Sequence, residues 1–132
     1  MKATVTWQQG LEFEGKSESG YISQFSGDGK SVSPMETVLQ AVGACSAVDV
    51  VMILQKARQD ITDVVCQLTA ERAETDPKVF TNINAHYQVS GNNISEKHVQ
   101  RACDLSMEKY CSVSLMLKGR VNITHSYELI ES

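Results

Sequence analysis

The chain opens with three short stretches in which apolar and polar residues alternate, the period of a half-buried strand. Ala3, Val5 and Trp7 share one face of the first, Leu11 and Phe13 of the second, and Tyr21, Ser23 and Phe25 of the third. Turn residues separate them at Gln8 to Gly10 and at Gly15 to Gly20, which predicts a three-stranded meander. The pattern breaks at Gly27, Asp28 and Gly29. A strong helix start follows: Ser33 as N-cap, Pro34 at the first helical position and Glu36 at the third, a capping box with the favoured proline. The helix should run to about Arg58, with Lys56 and Arg58 near its negative end. It is apolar nearly all round, so it should be buried on most sides. Such a helix is hard to bury inside one small domain, and a dimer sharing the core would solve the problem.

Two strands come next. Val64, Cys66, Leu68 and Ala70 mark one face of the first, and Ile83, Ala85, Tyr87 and Val89 one face of the second. Ser95 then caps a second helix to about Tyr110, with Val99, Ala102, Cys103, Ser106 and Tyr110 on one side. The last strand, Arg120 to Leu129, puts Val121, Ile123, His125, Tyr127 and Leu129 on one face. The order βββ-α-ββ-α-β does not alternate regularly, so the fold class is α+β rather than a doubly wound sheet.

The 132 residues suit a single domain, 1–132, with one core. A net charge of −4 provides no basic footprint for nucleic acid or for an acidic membrane surface. The apolar run from Val38 to Leu54 is short of a clean membrane span and is interrupted by Gln40 and Asp49, so it reads as a core helix. The first residues carry no signal-peptide core, and the expected location is the cytoplasm, where thiols stay reduced and a disulfide tends to be catalytic.

The candidate chemistry lies in cysteines. Four of them allow three complete pairings, none forms a Cys-x-x-Cys motif, and no zinc-ligand spacing occurs. Cys45 sits within the long apolar helix, and Cys111 at the exit of the second helix, where freedom to move would suit a resolving thiol. Cys66 and Cys103 fall on core stripes and read as structural. Asp49, one turn after Cys45, would oppose thiolate formation, so an activating cation must come through the fold. His125 reads as a satisfied core histidine, and His86 and His98 as surface residues.

Two segments carry a resemblance: Ser33 to Val50, reading SPMETVLQAVGACSAVDV, and Glu108 to Ser114, reading EKYCSVS. Together with the order of elements, they make the chain resemble the OsmC/Ohr family of osmotically inducible and organic-hydroperoxide-resistance proteins over essentially its whole length. The resemblance implies an intertwined homodimer with two central helices wrapped by sheets and two sites at the subunit interface. It implies Cys45 as the peroxidatic thiol, Cys111 as the resolving thiol and Glu36 as the nearby acid. It implies an organic hydroperoxide as substrate, a dithiol such as a lipoylated protein as reductant, and no cofactor or metal. Two departures stand out. Family members with peroxidase activity have glutamate directly after the proline, where this chain has Met35; moving the acid to Glu36 turns it by about 100° around the helix. They also supply an arginine from the N-terminal third, and this chain has none before Arg58; Lys16 or Lys30 could stand in for it, but neither forms a bidentate clamp. The thiol pair therefore looks like that of a peroxidase while the activating groups do not. The alternatives are a weak relative binding a small apolar or thiol ligand at the same interface, and a structural, stress-linked dimer with inert thiols.

Overall fold

In the computed structural model, which describes residues 1–132, the three alternating N-terminal stretches form an antiparallel meander. Its strands are β1 (Ala3–Gln9), β2 (Glu12–Ser17) and β3 (Ile22–Ser26). The register sets Trp7 opposite Phe13 and Phe13 opposite Phe25, so one face carries an aromatic row. Val5 and Trp7 on β1 are nonetheless well exposed.

α1 (Pro34–Lys56) begins with the capping box that its sequence requires. The Ser33 backbone N–H donates to Glu36 Oε1 at 2.9 Å, and the Glu36 N–H donates to Ser33 Oγ at 3.1 Å. The helix stops at Lys56, two residues before the expected end, because Arg58 takes a left-handed conformation with φ 55°. Gln59 N–H then bonds the Leu54 carbonyl and Arg58 N–H the Gln55 carbonyl, each at 3.0 Å. That is a Schellman ending built without the customary glycine. The chain forms two compact units, Met1–Val38 and Leu39–Ser132, and the boundary falls within α1.

The second unit is built on a sheet of order β4-β5-β6, from β4 (Asp60–Arg72), β5 (Phe80–Asn92) and β6 (Asn122–Glu131). β4 and β5 are antiparallel; β5 and β6 are parallel and need a long crossover, which the intervening helices supply. Ile83, Ala85, Tyr87 and Val89 of β5 are fully or almost fully buried, as their alternation predicts. Ala85, Tyr87 and Val89 join Val50 and Leu54 of α1, and Val99, Ala102, Cys103 and Met107 of the crossover, in one core. On the other face, polar side chains bond across the parallel pair, with Asn84 Nδ2 donating to Thr124 Oγ1 at 2.8 Å and Gln88 Nε2 to Glu128 Oε1 at 2.6 Å.

The crossover departs from the single helix expected. α2 (Glu96–Leu105) gives way to a π-helical turn, Ser106–Tyr110, and then to α3 (Ser112–Leu117). The wider turn shifts the helical phase, so Tyr110 is exposed rather than in line with Val99, Ala102, Cys103 and Ser106. Ser95 does occupy the N-cap of α2, but its side chain makes no capping bond.

Candidate active site

Cys45 and Cys111 meet. Cys45 is half-buried on α1. Cys111 is fully buried, and the neighbouring Cys45 thiol lies within hydrogen-bonding reach of it. Burial pushes the Cys111 thiol above its ordinary value; hydrogen bonds from Ser114 oppose this, and the Cys45 thiol adds to it. Cys111 is not the loose residue that a helix exit suggests. Its N–H donates to the Ser106 carbonyl at 2.7 Å, and its carbonyl accepts from Leu115 N–H at 3.0 Å. Its sulfur caps α3, accepting from Ser114 N–H at 3.4 Å.

The floor beneath the pair is rich in sulfur and centred on Tyr87. The Tyr87 hydroxyl donates to Met107 Sδ at 3.2 Å, and Ser114 Oγ donates to the same sulfur at 3.7 Å. Burial pushes Tyr87 well above the ordinary phenol value, and the nearby Ser46 hydroxyl on α1 opposes this. Cys66 and Cys103 border this floor. Burial raises Cys66 to about 11 and Cys103 to about 12, so at neutral pH both are protonated packing groups.

One contact links the two cysteine-bearing segments. Ser106 Oγ, buried in the π-helical turn, donates toward the Ser46 carbonyl at 3.1 Å and Asp49 Oδ2 at 2.9 Å. Asp49 is thus turned to Ser106, a role that its one-turn spacing from Cys45 did not reveal. Ser106 carried a faint signal in the sequence, as a hydroxyl in an otherwise apolar stripe.

The third candidate is placed differently. Glu36 lies two and a half turns before Cys45 along α1, in the other unit, and its carboxylate serves the capping box. The backbone and hydroxyl bonds of Ser33 hold its carboxyl below the usual range. Among the histidines, His125 Nε2 pairs with Asp104 Oδ1 at 2.7 Å, the satisfied state expected of it. His86 and His98 are half-buried rather than on the open surface; His86 Nδ1 bonds Ser126 Oγ at 2.8 Å. No three His, Cys, Asp or Glu side chains converge as metal ligands would.

α1, α2 and the π-helical turn line a half-open cleft of about 700 Å³. Met52, Ile53, Ala57, Leu105 and Tyr110 give it an apolar lining, and Lys56 and Arg101 stand at its edge. Asp49 and Tyr110 border it, one turn from Cys45 and next to Cys111 in the chain.

The layout of sheets and helices is that of an OsmC-type protein. The sequence pattern of the OsmC-like protein family matches residues 27–126, and the chain belongs to this family. It is 55% identical to Protein YhfA of Escherichia coli K12, over 98% of each chain. A solved structure of a hypothetical protein from Aquifex aeolicus VF5 shares 33% identity and superposes with a TM-score of 0.90, over 99% of this chain and 96% of that one. An organic hydroperoxide resistance protein OsmC from Legionella pneumophila shares the fold at 15% identity, with a TM-score of 0.73 over 96% and 95% of the two chains.

Proposed function

We propose that this chain is a homodimeric thiol peroxidase that reduces organic hydroperoxides through Cys45 and Cys111. The observation that carries the reading is the meeting of these two thiols, remote in sequence, with one half-exposed and the other buried behind it. The Cys45 thiolate attacks the outer peroxide oxygen, and the O–O bond breaks. The departing alkoxide takes up from solvent the proton that the thiol released on ionising and leaves as the alcohol, and Cys45 becomes a sulfenic acid. The Cys111 sulfur then attacks the Cys45 sulfur, water departs, and a disulfide closes. An external dithiol returns both thiols by exchange. The apolar cleft bordered by Asp49 and Tyr110, near each cysteine in the chain, supports an organic substrate over hydrogen peroxide. The Legionella protein that shares this fold is an organic hydroperoxide resistance protein.

Glu36 has a full explanation as a helix cap, and its charge is not needed for the cycle. The test is consumption of cumene hydroperoxide with dihydrolipoamide as reductant. Cys45→Ser should abolish turnover. Glu36→Gln keeps the capping box without the charge, and should stay within about twofold of the parent rate. Equal rates for the parent and Cys45→Ser would end the enzyme reading.

A second reading rests on the cleft. Lys56 and Arg101 form no ion pair at the edge of an apolar space large enough for a small ligand. Ligand binding without turnover would be a sufficient function for such a site. It predicts binding that survives Cys45→Ser, together with no peroxide consumption by the parent.

A further inference from the structure

We propose that Ser106, held by Asp49, is the positioning residue that sets how readily Cys45 and Cys111 join; this rests on the two-thiol reading above. The argument is geometric. Ser106 is the one residue bonded to both cysteine-bearing segments. Through its hydroxyl it grips α1 at the Ser46 carbonyl, directly after Cys45, at 3.1 Å, and at Asp49 Oδ2, one turn on, at 2.9 Å. Through its carbonyl it receives the Cys111 N–H at 2.7 Å.

That last bond spans five residues, the spacing of a π-helical turn rather than an α-helical one. A regular helix through Ser106–Tyr110 would present Cys111 about 100° away per residue of slippage, off the face that meets Cys45. The wide turn places Cys111, and the Ser106 hydroxyl fixes that turn to α1. Ser106 is fully buried, so its hydroxyl has no water to replace these partners. The Asp49 carboxylate makes the bond charge-assisted and is itself on α1, so the pin has two anchors on the helix that carries the attacking thiol.

The pin acts on disulfide closure and not on the first step. Sulfenic acid formation joins Cys45 and the peroxide and does not involve the Cys111 sulfur. Closure needs the Cys111 sulfur to reach the Cys45 sulfur with S–S geometry, which tolerates little displacement.

Two measurements on the full-length protein test this. The first needs no peroxide: the Cys45–Cys111 pair is equilibrated against glutathione and glutathione disulfide, with Cys66 and Cys103 replaced by alanine. Ser106→Ala should lower the pairing equilibrium constant about tenfold, an upward shift of about 30 mV in potential, and Ser106→Thr should restore it. Asp49→Asn keeps an acceptor for the hydroxyl and should fall between the two. The second adds one equivalent of cumene hydroperoxide in the presence of dimedone. Ser106→Ala should lose the Cys45 thiol at the parent rate yet accumulate trapped sulfenic acid that the parent does not show.

An unchanged pairing constant in folded Ser106→Ala, or a loss that Ser106→Thr fails to restore, overturns the inference. So does a parent protein that forms no Cys45–Cys111 bond in the glutathione buffer. Should Ser106→Ala not fold, Asp49→Asn and Ser106→Thr decide by the same constant, and parity of Asp49→Ala with the parent overturns it. A parent that pairs normally but ignores peroxide overturns the peroxidase reading and leaves the glutathione arm to judge Ser106.

Discussion

At the scale of single residues, the four cysteines divide by surroundings rather than by sequence context. Cys45 has partial access to solvent, while Cys103 and Cys111 have none. Unfolded, a thiol ionises near 9.0; in the native chain Cys66 keeps its proton to about 11 and Cys103 to about 12. Between those limits the native state holds more protons than the unfolded state, so stability falls as pH rises. Buried Cys103 contributes a slope of up to about 1.4 kcal/mol per pH unit, and half-buried Cys66 less, because water screens its charge. Urea midpoints measured under reducing conditions should therefore be flat from neutrality to pH 9 and drop steeply above it. Cys103→Ala should flatten that drop; a curve identical to the parent's would mean that other groups cause it. Residue roles of this kind were only partly legible in the chain. Core stripes marked Cys66 and Cys103 as packing groups, and His125 as satisfied. The convergence on Tyr87 was not legible, since it depends on α1 and the crossover packing against the same face of β5.

At the scale of elements, local rules carried most of the reading. The capping box fixes the start of α1, and alternation fixes β5 and β6 to within three residues and β4 to within four. Three features escaped, each for a physical reason. Arg58 ends α1 in a conformation that sequence signals assign to glycine. The π-helical turn keeps helical hydrogen bonding but changes the phase, and no composition marks it. α3 is only six residues long and is capped by a sulfur, an acceptor that N-cap preferences do not include. The β4–β5 pairing offers the sharpest test at this scale. Gly91 is buried opposite Ile61, beside the bulge between Ile61 and Asp63. A Cβ there would overlap the Asp60 carbonyl and come within 2.7 Å of Ile94 Cγ2. The backbone cannot yield as a side chain can, so Gly91→Ala should cost about 2–4 kcal/mol. Gly43 is the contrast: its obstacle is Leu68 Cδ1 at 2.6 Å, the far end of a flexible side chain, and alanine also favours a helix. Gly43→Ala should then be within about 1 kcal/mol of the parent by denaturant unfolding, and equal penalties at the two sites would refute the distinction.

At the scale of the whole molecule, α1 poses a question that one chain leaves open. It is long and apolar enough to cross a membrane by length and composition, yet only 28% of its most apolar stretch is buried. Its inner stripe, Val42, Gly43, Ser46, Val50 and Leu54, is covered. Its outer stripe, Ala44, Val48 and Met52, repeats every fourth residue and faces water, with Val48 57% and Met52 51% exposed. Apolar area of that extent on one helix face is the usual mark of an interface. A second copy is the partner that the proposed homodimer requires, and a two-fold axis would set the same stripe against itself. The expected mass in solution is twice 14.5 kDa. Because folding and association would be linked, the melting temperature should rise with protein concentration. Val48→Glu or Met52→Glu puts a carboxylate into a dry, self-facing contact, where two like charges meet across the axis. Each variant should lose the dimer by sedimentation and melt at a temperature independent of concentration. If Cys45, half-buried on the same helix, takes its substrate within the dimer, the same variants should lose peroxide turnover while free Cys45 still alkylates. A parent protein that sediments at 14.5 kDa with full activity would remove both the dimer and its link to the site.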